Sequence, residues 1–87
     1  MPSTPVAPVT MYTTSWCGYC VRLKRLMQTE GIDFAEVNIE TDAQAADVVM
    51  NANGGNRTVP TLRFADGTTL TNPSIVEVKK QLAALSA

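Results

Sequence analysis

A small α/β domain, with a four-stranded mixed sheet flanked by three helices in the order β-α-β-α-β-β-α, is the architecture this 87-residue sequence predicts. Three observations carry it. The chain is long enough for one core and too short for two, and 45% of it is hydrophobic. Its apolar residues alternate between a period of two and a helical period along the chain. An opening strand–helix–strand passage implies a right-handed parallel crossover, whereas an Asp-Gly pair further on implies an antiparallel hairpin.

The first strand is expected at Val9–Thr14, where Val9, Met11 and Tyr12 precede small hydroxyl residues. A helix follows Cys17. Cys20, Leu23, Leu26 and Met27 share one face of it, Arg22 and Arg25 fall on the other, and Gly31 ends it as a C-terminal cap. Phe34–Ile39 alternates apolar and polar, the pattern of a half-buried strand. Thr41 with Gln44 reads as a capping box that opens a second helix, whose buried face is Ala45, Val48, Val49 and Ala52. Asn53-Gly54-Gly55 stops that helix. Val59–Ala65 is the third strand, Asp66-Gly67 a two-residue turn requiring positive φ, and Thr68–Thr71 the returning strand. Asn72 then caps a last helix with Pro73 at its first position and Ile75, Val78, Leu82 and Leu85 facing inward. This is the layout of the thioredoxin-like class, over residues 9–87.

Residues 1–8 hold three prolines and neither the basic start nor the apolar run of a secretory signal, so we expect a disordered tail and a reducing, cytoplasmic setting. A net charge of −1 argues against nucleic-acid binding, and no apolar window is long enough to span a membrane. The composition has no His, which removes Ser-His and Cys-His nucleophile pairs and His-ligated metal sites. Two cysteines remain. In a reducing compartment such a pair is more often catalytic or metal-binding than a structural staple.

Cys17 falls where the first strand ends and the first helix begins, so its sulfur meets the free N–H groups and positive dipole end of that helix, which favour a thiolate. Cys20 lies one turn deeper on the same face, within disulfide reach and better shielded. Cys17 is therefore the expected attacking nucleophile, and Cys20 a resolving or competing thiol. Arg22, Lys24 and Arg25 lie within eight residues of Cys17, while six of the eight acids fall between Glu30 and Asp47, a stretch without a base. This split assigns Arg22 and Lys24 as thiolate-stabilising. One CxxC with no His supplies half the ligands of a zinc site, so no metal is expected.

With these residues in place the sequence resembles the glutaredoxins. The run Tyr12-Thr13-Thr14-Ser15-Trp16-Cys17-Gly18-Tyr19-Cys20 is similar to their active-site strand and turn, Arg57-Thr58-Val59-Pro60 to their substrate-docking loop, and Asp66-Gly67 to the hairpin after it. More narrowly, Trp16–Cys20 with Asn53–Pro60 and Thr71-Asn72-Pro73-Ser74 resembles the mycoredoxins, the branch that uses mycothiol in place of glutathione. The resemblance implies a monomeric thiol–disulfide oxidoreductase that reduces mycothiolated proteins and acts on arseno-mycothiol adducts. It implies no bound cofactor. Mycothiol is the co-substrate, recycled by a separate NADPH-dependent mycothiol disulfide reductase.

The same resemblance implies a cis Val59–Pro60 bond beside Cys17, where chemistry alone reads Pro60 as a strand-start proline. Trp16, Tyr19, Thr58, Val59 and Asn72 are then contact residues for the substrate. Arg57 is read two ways, as an idle surface cation or as a group steering a polar thiol and stabilising the thiolate. Where many glutaredoxins carry an Asp to hold the glutathione ammonium, this chain has Asn72-Pro73-Ser74, and mycothiol has no free ammonium to hold. Two alternatives stay open: a dithiol donor, for example to ribonucleotide reductase, reduced by thioredoxin reductase; and an iron–sulfur cluster carrier, against which Cys20 weighs.

Overall fold

The computed structural model describes residues 8–86. The tail expected over 1–8 thus lies, Pro8 apart, outside the described residues. Seven elements follow in the expected order: β1 (Val9–Thr13), α1 (Gly18–Thr29), β2 (Ala35–Asn38), α2 (Ala43–Ala52), β3 (Thr61–Phe64), β4 (Thr69–Thr71) and α3 (Ile75–Ser86). The sheet order is β2-β1-β3-β4, with β1 parallel to β2 and antiparallel to β3, and β3 antiparallel to β4. Among the described residues no helix is long and apolar enough to cross a membrane.

Strand periodicity divides the core between the two faces of this sheet. Val9 and Met11 of β1 and Leu62 and Phe64 of β3 pack with Leu23 and Met27 of α1 and Val78 of α3. Tyr12 turns to the other face, where it meets Ile39 and the α2 residues Ala45, Ala46 and Val49. Helices α1 and α3 therefore cover one face and α2 the other, the three-layer arrangement that buries a central sheet. This layering leaves the C-terminal end of β1 and the start of α1 free at one edge of the molecule.

Four local expectations are corrected. Leu26, placed on the buried face of α1, is 38% exposed, because Cys20, Leu23 and Met27 already fill the stripe facing the sheet. The N-cap of α2 is Asp42, not Thr41: its carboxylate accepts the Ala45 N–H at 3.0 Å. The α3 cap is Ser74, not Asn72. Its Oγ accepts the Glu77 N–H while Glu77 Oε1 accepts the Ser74 N–H, a reciprocal capping box that puts buried Pro73 outside the helix. The hairpin loop has three residues, not two. Gly67 N–H bonds the Phe64 carbonyl and Phe64 N–H the Thr68 carbonyl, so only Gly67 (φ 89°) takes the left-handed conformation.

The strands are also shorter than expected, without Thr14, Phe34, Ile39, Val59, Pro60, Ala65 and Thr68. The Gly31 stop holds: with φ 68° it gives its N–H to Gln28, and Ile32 gives its own to Met27, closing α1 in a Schellman motif. Exposure separates two leucines that look alike in the sequence. Leu62→Ala, at a position with no exposure, is expected to lower the unfolding free energy by about 2–5 kcal/mol. Leu26→Ala is expected to change it by under about 1 kcal/mol, since little buried area is lost. Paired denaturant titrations check both.

Candidate active site

The first turn of α1 is built around sulfur. Cys17 is the N-cap residue, extended at φ −122° and ψ 98°, and its Sγ accepts the Cys20 N–H at 3.0 Å. That position ordinarily takes a side-chain oxygen. No acidic residue occupies the first turn, so the sulfur is the side-chain acceptor at this helix end. Cys17 is partly exposed and Cys20 only 3% exposed. The two are joined as a disulfide with Cα atoms 5.1 Å apart. A hydrogen bond of this kind strengthens when the acceptor is charged, so it favours a Cys17 thiolate on reduction.

A hollow of about 500 Å³ opens over this turn, lined by Thr14, Trp16, Cys17, Gly18, Tyr19, Arg22 and Val59. Tyr19 and Arg22 also line a second hollow of about 420 Å³, which runs to Asn72, Pro73, Ser74 and Glu77 at the start of α3. The two spaces thus share a wall. Trp16 and Tyr19 are 92% and 67% exposed, apolar surface placed beside the sulfur rather than in the core.

Val59 reaches this hollow through the cis Val59–Pro60 bond, with Pro60 buried behind it. The loop is held from three sides. Thr61, fully buried, donates its hydroxyl to the Thr58 carbonyl at 2.7 Å and accepts from Asn53 Nδ2 at 3.1 Å. Thr71 donates its hydroxyl to Asn53 Oδ1. Asn72 N–H donates to the Pro60 carbonyl at 2.7 Å, and Asn72 itself sits at φ 45°, a conformation Asn tolerates. Sequence spacing marks Asn53 as part of a helix stop but not its tie to Thr61. They meet only once the end of α2 and the start of β3 are folded together.

The structure brings Cys17, Trp16, Tyr19, Arg22 and Val59 to one hollow and Asn72 to its neighbour. It does not bring Arg57 or Thr58 to the lining of either, although both are exposed nearby in the chain. Lys24 is placed elsewhere. Its ammonium is 2.9 Å from Glu36 Oε1, beside a separate depression lined by Gln28, Ile32, Asp33 and Phe34. The cation that the charge run assigned to the sulfur is instead taken up by a carboxylate from β2. Among the described residues no group of three or more His, Cys, Asp or Glu is arranged to hold a metal ion.

The glutaredoxin family model matches residues 9–68. A Mycobacterium tuberculosis protein assigned to the glutaredoxins is 56% identical over 80 residues, 92% of this chain and 95% of its own. Mycoredoxin 1 of Corynebacterium glutamicum is 41% identical over 78 residues, 90% of this chain and 96% of its own. In fold, the solved glutaredoxin of Methanosarcina mazei matches with a TM-score of 0.76 at 24% identity, over 92% of this chain and 84% of that one.

The Lys24–Glu36 pair makes a pH prediction. The Lys24 ammonium, helped by the Thr13 hydroxyl at 3.0 Å, holds the Glu36 carboxyl below its ordinary range against a smaller opposing effect of burial. A lowered folded value means stability that is present above the ordinary glutamate range and lost as pH falls through the lowered one. Glu36→Gln is expected to flatten that acid limb of the denaturation midpoint. The loss at neutral pH should be under about 1 kcal/mol, because the pair is partly exposed.

Proposed function

Since the chain belongs to the glutaredoxin family of thiol–disulfide oxidoreductases, we propose that it reduces mixed disulfides between mycothiol and proteins, with Cys17 as the nucleophile. The observation that carries the reading is the Cys17 sulfur itself: N-cap acceptor of α1, partly exposed, and facing a hollow walled by Trp16, Tyr19, Arg22 and Val59. Cys20, at 3% exposure, is too shielded to meet a protein substrate first.

In the first step the Cys17 thiolate attacks the mycothiol sulfur of the mixed disulfide. A Cys17–mycothiol disulfide forms, and the protein sulfur leaves as a thiolate that takes up a proton. In the second step the thiolate of another mycothiol attacks the mycothiol sulfur of that adduct. Mycothiol disulfide is released and the Cys17 thiolate restored. The mixed disulfide is exchanged for mycothiol disulfide: the protein sulfur is reduced to a thiol and the incoming mycothiol thiol is oxidised. The disulfide product goes to a separate NADPH-dependent reductase. The Cys17–Cys20 disulfide is, in this scheme, a competing oxidised form from which Cys20 returns by reduction.

Support for mycothiol over glutathione comes from two sides. Mycoredoxin 1 is similar over nearly the whole length of both chains. At the entrance to α3 the groove presents Asn72-Pro73-Ser74 and no aspartate, and the nearby Glu77 already accepts the Ser74 N–H. An acetylated cysteine joined to a disaccharide has no ammonium that needs a carboxylate there. Arg22 lines both hollows, which supports a role in meeting mycothiol and in stabilising the Cys17 thiolate. Arseno-mycothiol adducts fit the same nucleophile.

A coupled assay on a mycothiolated and a glutathionylated form of one protein tests this reading. Mycothiol turnover is expected to exceed glutathione turnover by about tenfold or more in kcat/KM, the discrimination a few specific contacts supply. Cys20→Ser is expected to keep activity and Cys17→Ser to lose it. Equal or better turnover with glutathione would sink the mycothiol assignment, and loss of activity in Cys20→Ser would favour a dithiol donor of the kind that serves ribonucleotide reductase.

A further inference from the structure

Trp16 poses a problem of support. It forms one wall of the hollow over Cys17, yet it is 92% exposed, so packing does not hold its position. The backbone beneath it is not in the sheet either, since β1 ends at Thr13 and α1 begins at Gly18. What does hold that stretch is a set of polar contacts from the far end of β2. The Ser15 N–H donates to Glu40 Oε1 at 2.6 Å, and Asn38 Nδ2 donates to Ser15 Oγ at 3.2 Å. The clamp is itself braced. Asn38 Oδ1 accepts the Glu40 N–H at 2.8 Å, the Asn38 carbonyl accepts the Thr41 hydroxyl at 3.3 Å, and Ile39 N–H bonds the Thr13 carbonyl at 2.9 Å.

We infer that Glu40, braced by Asn38, is a positioning residue for the thiol hollow: by fixing Ser15 it sets where the Trp16 ring stands over Cys17. The bond is an amide donating to a carboxylate, the stronger, charge-assisted kind. The same contact holds the Glu40 carboxyl below its ordinary range, so the acceptor is ionised when the protein is at neutral pH. Glu40 acts on the placing of the substrate, not on the sulfur. Cys17 has its own amide partner within α1, and that contact does not pass through Ser15. The consequence for turnover rests on the reading that a mixed disulfide enters this hollow; the consequence for Trp16 does not.

The single tryptophan makes the clamp visible. In the reduced full-length protein without substrate, Glu40→Ala is expected to lower the fluorescence anisotropy of Trp16, because its backbone is released. Glu40→Gln, whose amide oxygen still accepts from Ser15, is expected to restore most of it. With the mycothiol mixed disulfide, Glu40→Ala should raise KM by about three- to tenfold with kcat nearly unchanged, the scale of one exposed charge-assisted hydrogen bond. Glu40→Gln should return KM toward the starting value. If the protein proves to prefer glutathione, the assignment to mycothiol fails and the same KM comparison is read with a glutathione mixed disulfide. Anisotropy unchanged in Glu40→Ala overturns the inference. So does a fall in anisotropy with no change in KM, or a loss confined to kcat.

Discussion

One hydrogen bond, from the backbone N–H of Cys20 to the sulfur of Cys17, ties the fold of this protein to its chemistry. A helix start needs acceptors for its unpaired amides, and most helices supply them with Ser, Thr, Asp or Asn. Here the first turn offers no acidic side chain, and the capping acceptor is a sulfur. The neutral thiol is a poor acceptor and the thiolate a good one, so the helix start rewards ionisation of Cys17. A protein with no histidine has no imidazole base to draw the proton off that thiol. The helix end offers such a thiol an electrostatic route to the thiolate instead.

The rest of the site is built from segments held beside that sulfur. The central pair β1 and β3 places two connecting segments side by side: the one running from β1 into Cys17 and the one leading through cis Val59–Pro60 into β3. Neither segment is fixed by apolar burial alone. Each is tied by polar side chains, the first by Asn38 and Glu40 acting on Ser15, the second by Asn53 at the end of α2 acting through Thr61. Polar ties suit a surface that must stay open to large substrates, because they give position without covering the site. The exposed Trp16 and Tyr19 stand at that surface beside Cys17.

Much of the fold is legible in the sequence because the local signals agree with the global answer. The order of elements, the parallel β1–β2 pair, the β3–β4 hairpin and the Gly31 stop all follow from periodicity and glycine position. What is not legible depends on contacts between distant residues. The spacing of Thr41 and Gln44 points to Thr41 as the cap of α2, and only the path of the chain out of β2 selects Asp42. Leu26 fits the apolar stripe of α1, but the stripe is full. Within the site, Cys17 is recognisable because its surroundings are local, three residues of one helix turn. Lys24 is misplaced by a linear reading of charge, since Glu36 lies twelve residues away in sequence and 2.9 Å away in space. Glu40 belongs to the acidic middle of the chain that looked remote from the sulfur, and it reaches the active-site loop.

The central claim is that the α1 N-terminus activates Cys17, and the most direct test is the pH dependence of its alkylation rate in reduced Cys20→Ser protein, where Cys17 is the one remaining thiol. The rate should follow the thiolate fraction, with a midpoint well below the ordinary thiol value of about 8.5 and a plateau already reached at neutral pH. A midpoint at or above that ordinary value would contradict the claim, because it would mean that the helix end does not favour the thiolate.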